Sequence, residues 1–253
     1  MQLSNTAAIV TGGASGLGAA TAKALASKGV KVFGVDLAAG IEKAPAVDGI
    51  SYVAADVTSP DEVRAAVETA ASAGVPLRTV INCAGIGPSA RILGKKGVHD
   101  LSLYAKVIQI NLIGSFNVLA LAAEAIAKTE PADEFGQRGV VINTASVAAY
   151  EGQIGQAAYS SSKGGIVGLT VPAARDLAQY GIRVCTIAPG IVDTPMLATI
   201  SEEFRASLSA GVPFPQRLCR PDEYSQLALS IIDHDYLNGE TIRMDGGLRM
   251  APR

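Results

Sequence analysis

The 253-residue chain is poor in several things that common functional classes require. It has three cysteines, Cys83, Cys185 and Cys219, widely spaced and with no Cys-x-x-Cys pair. Such a set builds neither a disulfide framework nor a zinc site. Small buried thiols in a reducing compartment are the simpler expectation. The two histidines, His99 and His234, stand alone, so no metal is expected. A formal charge of −2 gives no overall electrostatic footprint for nucleic acid or an anionic membrane. The opening MQLSNTAAIVTGG has no basic segment followed by a long apolar run, which argues against a signal or transit peptide. No apolar stretch is read as reaching membrane-spanning length. The expectation is a soluble, cytoplasmic chain with no nucleic-acid or membrane partner.

What is present is a strongly apolar composition, 49% hydrophobic, enough for a large core in one unit spanning residues 1–253. Short β-rich runs recur at 6–13, 30–36, 51–57, 78–85, 139–146, 182–190 and 239–247. Several are apolar almost throughout, as parallel strands covered on both faces should be. Helical stretches lie between most of them, at 18–28, 60–73, 104–128 and about 157–178. The alternation predicts an α/β fold, a doubly wound Rossmann-type sheet of about seven parallel strands with helices on both faces. Two long connections, 86–103 and 191–220, break the rhythm. Both leave the carboxyl edge of the sheet, where open α/β folds bind ligands.

TGGASGLG (11–18) joins the first strand to the first helix. Gly12, Gly16 and Gly18 permit a tight turn and let backbone N–H groups approach phosphate at a helix N-terminus. Their spacing is not Gly-x-Gly-x-x-Gly, and alone the run also fits a plain turn. Asp36 closes the second strand, 18 residues after Gly18. A carboxylate there can accept from ribose hydroxyls and repel a 2′-phosphate, and Ser15 stands where a basic residue could have held that phosphate. This favours NAD over NADP. Asp36 also suits a turn, as does Asp56 before Val57 at the end of the third strand.

QAAYSSSKGG (156–165) sets Tyr159 and Lys163 one helical turn apart on one face. Bringing a phenol from its usual pKa of about 10 to about 7 takes roughly 4 kcal/mol. An ammonium about 4 Å away at an effective dielectric near 20 supplies about that much. The pair therefore suits a tyrosine acid/base, although two snorkelling side chains on an amphipathic helix give the same spacing. Ser146 ends the fifth strand 13 residues earlier, placed to meet Tyr159 at one substrate oxygen. Asn111 sits inside a long helix, where asparagine is a mediocre former and can hold a water at a local disturbance. NCAG (82–85) closes the fourth strand, and Pro189-Gly190 closes the sixth, with Thr194 following.

In this order and spacing the chain resembles the short-chain dehydrogenase/reductase family along nearly its whole length. Cys83 stands where that family more often has a second asparagine. The resemblance implies an NAD-dependent oxidoreductase interconverting a secondary alcohol and a ketone. Tyr159 would be the acid/base, Lys163 would lower its pKa and bind the nicotinamide ribose, Ser146 would polarise the substrate oxygen, and Asn111 would support a water in the proton relay. The cofactor set it implies is Gly12, Ser15, Gly16, Leu17, Gly18, Asp36, Asp56, Val57, Asn82, Ala84, Gly85, Tyr159, Lys163, Pro189, Gly190, Val192 and Thr194. A homotetramer is implied too, with the 157–178 helix and the C-terminal GGLRMAPR as interface candidates.

The substrate should meet 86–103, 147–156 and 191–220. The last carries Met196, Leu197, Ile200, Phe204, Leu208 and Phe214, an apolar wall or amphipathic lid suited to a fatty or polycyclic alcohol. Runs 138–178, 212–218, 237–247 and GKKGVHDLSL (94–103) are similar to the type 2 3-hydroxyacyl-CoA dehydrogenase branch. That implies (S)-3-hydroxyacyl-CoA as substrate, with hydroxysteroids or other small ketones as alternatives. Lys95 and Lys96 would attract CoA phosphates, or be solvated loop lysines. A different class, an NAD-binding interaction protein with incidental catalysis, is argued against by the intact Ser146, Tyr159 and Lys163.

Overall fold

In a computed structural model, residues 1–95, 97–197 and 201–252 are described. Lys96 and Ile200, and the side chains of Met196 and Phe204, lie outside the described residues. The first half of the chain runs β1 (Ala7–Thr11), α1 (Gly16–Ala26), β2 (Lys31–Asp36), α2 (Ala38–Ile41), β3 (Ile50–Ala54), α3 (Pro60–Ala71) and β4 (Leu77–Asn82). A two-residue-per-strand hairpin, β5 (Leu93–Gly94) and β6 (Gly97–Val98), leads to α4 (Leu101–Ile108), a π-helical turn (Gln109–Ile113) and α5 (Gly114–Ala127). The second half runs β7 (Gly139–Thr144), α6 (Ala157–Ala178), β8 (Ile182–Pro189), α7 (Glu202–Ala210), α8 (Pro221–Asp233) and β9 (Thr241–Met244).

The seven main strands form one parallel sheet in the order β3-β2-β1-β4-β7-β8-β9. Because side chains alternate across a strand, β1 feeds two cores. Ala7 and Ile9 pack with Val63, Ala66 and Val67 of α3 and with Val118 and Ala122 of α5. Ala8 and Val10 pack with Ala22 and Leu25 of α1 and with Ala228, Ile231 and Ile232 of α8. Both faces are thus covered, which is why these strands read as unbroken apolar runs. α8 was not among the helices read from the sequence, although it starts in a recognisable way. Pro221 occupies its first turn, and Glu223 accepts from Arg220 N–H at 2.8 Å.

The expectation that no stretch reaches membrane-spanning length needs correction. Leu101–Ala127 is long and apolar enough by length and composition. Its apolarity has a local cause, since Val107, Val118, Leu119, Ala122, Ala123 and Ile126 are buried, and all but Val107 belong to the core on one face of the sheet. The same segment is not one regular helix. It is broken by the π-turn that contains Asn111. α6 continues through Pro172 as a single element.

Strand order reverses between β1 and β4, so the connections leaving these two strands diverge and open a crevice at their carboxyl ends. The register pairs Thr11 with Asn82, bringing the glycine turn and NCAG side by side.

Candidate active site

The nucleotide end is built largely from backbone. Gly12 and Gly16 have φ of +64° and +53°, a region that strains other residues. A Cβ on Gly12 would lie 3.0 Å from Ala84 N, and one on Gly18 would lie 2.1 Å from Gly12 O. Thr11 Oγ1 accepts from Cys83 N–H at 3.1 Å and Ala84 N–H at 3.2 Å, fastening the two turns together. Ser15 is the extended N-cap of α1, and its side chain makes no capping hydrogen bond. The first N–H groups of α1 are therefore left to a ligand. Asp36 accepts from Ala14 N–H at 3.0 Å and from Leu37 N–H at 2.8 Å, which fixes its carboxylate at the turn. Asp56 accepts from Thr58 N–H and from Thr58 Oγ1–H, both at 2.8 Å, so it closes a turn as well as bordering the crevice.

The chemical end is carried by β7, α6 and the π-turn. Ser146 Oγ accepts from Ala148 N–H at 3.1 Å. Lys163 is buried and donates from Nζ to Thr144 O at 2.7 Å, with Nζ 5.7 Å from the centre of the Tyr159 ring. Asn111 is fully buried. Its Oδ1 accepts from Ile86 N–H at 2.8 Å, and its Nδ2 donates to Ile86 O at 2.9 Å and to Ser162 Oγ at 3.0 Å. Ser162 in turn donates to Tyr159 O at 2.7 Å. Ser162 thus links α6 to the π-turn. Of the two following glycines, Gly165 carries the close approach. Its Cβ would lie 2.6 Å from Leu112 Cδ2, whereas a Cβ on Gly164 would meet nothing nearer than 4.0 Å.

The electrostatics correct one expectation. Burial pushes the Tyr159 phenol above its ordinary range, with a hydrogen bond from Ser146 pulling the other way. Burial also lowers Lys163, to about 8, despite the opposing influence of Cys83. The lysine does not bring the phenol down by itself. Its ammonium is turned to Thr144 O and is desolvated, so burial outweighs the attraction that simple spacing suggests.

These pieces border one cleft of about 610 Å³. Gly12, Ser15, Gly16, Leu17, Gly18, Asp36, Asp56, Val57, Ala84 and Gly85 line one part of it, and Ser146, Tyr159, Lys163, Pro189, Gly190, Val192 and Thr194 the other. Asn82 and Asn111 do not line it. Asn82 is buried in the sheet, donating to Asn143 Oδ1 at 2.9 Å and Ser115 O at 3.2 Å, so it ties β4 to β7 and α5. Asn111 acts through Ile86 and Ser162. Lys163 is the one basic side chain of the lining among the described residues. Several lining or supporting residues escaped the sequence reading, among them Leu37, Ile110 and Thr144 of the lining. Thr11 and Ser162 sit inside motifs already singled out, and Met250 reaches the cleft from the C-terminal segment with no local signal.

The uncapped helix start, the glycines that leave no room for a Cβ, and the fixed Asp36 carboxylate fit a dinucleotide. A sequence model of the short chain dehydrogenase family matches residues 6–204. The chain is 49% identical to 3-hydroxyacyl-CoA dehydrogenase type-2 of Drosophila melanogaster, over 99% of this chain and 100% of that protein. It is 48% identical to the Homo sapiens protein of the same name, over 97% of this chain and 95% of that protein. Among solved structures, 3-hydroxyacyl-CoA dehydrogenase type-2 from Mycobacterium avium superposes with a TM-score of 0.92 at 42% identity, covering 98% of each chain.

Proposed function

This chain belongs to the short chain dehydrogenase family and is an oxidoreductase, and from that premise we propose that it interconverts (S)-3-hydroxyacyl-CoA and 3-ketoacyl-CoA with NAD as the cofactor. The carrying observation is one cleft with a dinucleotide cradle at one end and Ser146, Tyr159 and Lys163 together at the other. The acyl-CoA substrate is supported by the names of relatives matched over nearly the full length. NAD rather than NADP is supported by Asp36 and by a lining whose basic side chain, Lys163, belongs to the chemical end.

Gly12, Ser15, Gly16 and Leu17 would hold the pyrophosphate, Asp36 the adenosine ribose, Asp56 and Val57 the adenine, and Ala84 and Gly85 the face of the nucleotide. Lys163 would hold the nicotinamide ribose. Pro189, Gly190, Val192 and Thr194 would border the carboxamide. A nicotinamide ring held there supplies hydride transfer and, when oxidised, a positive charge. Ser146 Oγ accepts from Ala148 N–H, and its own proton, which pairs with the Tyr159 oxygen, would turn to a substrate oxygen placed between the two. For ketone reduction, Tyr159 gives its proton to that oxygen, and the raised phenol keeps the proton in place until then. For oxidation, Tyr159 takes the alcohol proton, which requires positive charge beyond that of Lys163 to bring the phenol down. Asn111 and Ser162 hold Ile86 and the Tyr159 backbone in register for these transfers.

Residues 1–253 are taken as one catalytic unit that assembles as a homotetramer, which solution mass measures. Free cysteines at 83, 185 and 219 fit the cytoplasm. The functional test is a panel of kcat/KM values: acetoacetyl-CoA and longer 3-ketoacyl-CoA esters with NADH, a hydroxysteroid with NAD⁺, and NADPH controls. Acyl-CoA esters turned over well with NADH, and at least tenfold less with NADPH, support the reading. A steroid preferred over every acyl-CoA ester overturns the substrate class.

A further inference from the structure

The 191–220 connection and the C-terminal segment contribute to the cleft in different ways. Beyond Leu197, the lining includes one residue among those described, Met250. The segment that carries it is fastened to the loop after Ser146. Ile154 N–H donates to Pro252 O at 3.0 Å, Gln153 Nε2 donates to Ala251 O at 3.0 Å, and Met250 N–H donates to Glu151 Oε2 at 3.4 Å. Arg243, at the end of β9, anchors both partners. It grips Glu151 with two bonds of 2.9 and 3.0 Å, reaches Asp245 Oδ2 at 2.8 Å and Leu248 O at 3.0 Å, and lies 5.2 Å over the Tyr150 ring. Arg249 adds contacts to Glu151 at 3.5 Å and to Asp245 at 3.1 Å.

A fork-to-fork arginine–carboxylate pair in a partly buried setting fixes geometry as well as charge. Glu151 is held below the usual carboxylate range, chiefly by Arg243. Nothing in the hydride or proton transfer calls for this network. Its effect is to fasten the segment that brings a flexible thioether to the cleft onto the loop after Ser146, and methionine adapts its shape to apolar ligands of varied form.

We propose that Met250 is a specificity-determining residue that limits the bulk of the substrate, and that Arg243 and Glu151 are positioning residues that hold its strap against the loop 150–156. The proposal rests on the reading of the cleft as an alcohol–ketone site. Met250 forms an apolar wall there, so a larger side chain shortens the pocket and a smaller one opens it.

The test compares the ratio of kcat/KM for a long-chain 3-ketoacyl-CoA to that for acetoacetyl-CoA, with NADH, in wild type, Met250→Trp and Met250→Ala. Met250→Trp is expected to lower the ratio at least tenfold and Met250→Ala to raise it at least threefold, with NADH dissociation constants within twofold of wild type. Arg243→Met is expected to raise KM for the acyl-CoA at least fivefold while kcat stays within threefold. Glu151→Gln, which keeps the side-chain shape, is the substitute if Arg243→Met does not fold. Ratios within twofold of wild type in both Met250 variants, with NADH binding intact, overturn the proposal. A wild-type enzyme inactive on every 3-ketoacyl-CoA but active on another ketone would defeat the functional reading alone. The same ratio, read on a bulky and a small ketone, then decides the role of Met250.

Discussion

The two ends of the cleft are built by opposite means. The nucleotide end uses main chain and missing side chains: positive-φ glycines, an uncapped helix start, and Thr11 fastening two turns by their N–H groups. The chemical end uses side chains held by other side chains, from Lys163 on Thr144 O to the Asn111–Ser162 link behind Tyr159. Binding a common cofactor requires space and donors at fixed positions, which backbone supplies. Moving a proton requires groups whose ionisation the surroundings control, and these are exposed to burial effects that backbone does not feel.

The comparison makes the chemical end vulnerable to deletion of single atoms. Tyr159→Phe removes one oxygen and is expected to cut kcat about 10³-fold, while NADH binding changes less than threefold. Steady-state rates and NADH fluorescence titration check this. Full turnover in that variant would instead favour a binding protein with incidental catalysis.

Lys163 gives the next effect, seen in stability. Burial lowers its pKa from 10.5 to about 8, so the unfolded chain holds that proton more tightly than the folded one. The contribution of Lys163 to stability therefore rises with pH between about 8 and 10.5, by up to about 3 kcal/mol. Lys163→Met lacks that rise. Denaturant midpoints of both proteins at pH 7 and 9.5 measure it, and parallel curves would show that the ammonium is not desolvated.

The nucleotide end should break when atoms are added. Gly12→Ala puts a Cβ 3.0 Å from Ala84 N at a φ of +64°. It is expected to weaken NADH binding about tenfold and stability by roughly 1–3 kcal/mol, as binding and melting curves would record. The smallest effect belongs to the exposed Lys95 beside the hairpin turn. Lys95→Glu should raise KM for an acyl-CoA two- to threefold and leave an uncharged steroid unaffected. Equal changes would mark it as a solvated loop residue.

The same contrast governs what could be read from the sequence. The parallel sheet was legible because its central strands β1, β4, β7 and β8 are buried on both faces and because the turn after β1 needs glycine at fixed places, as at Gly12 and Gly16. Tyr159, Lys163 and Ser146 were legible as candidates because their spacing is local. Asn111 was read as a helix disturbance, and the π-turn is there, but its partners Ile86 and Ser162 depend on tertiary packing. Asn82 sits in a motif whose other members line the cleft, yet its own side chain turns into the sheet. Met250 could not be found, because it reaches the cleft through contacts with residues about 100 positions earlier in the chain. The sign of the Tyr159 shift was also hidden, because spacing reports the nearby charge and not the burial.

That sign is the claim to test most directly. The chain has seven tyrosines and no tryptophan, so tyrosinate absorbance can be followed by subtracting Tyr159→Phe from wild type across a pH titration, with and without NAD⁺. Without the dinucleotide, Tyr159 should ionise above the ordinary tyrosine range, and saturating NAD⁺ should move its ionisation toward neutrality. Ionisation near neutral pH in the cofactor-free protein would contradict the account.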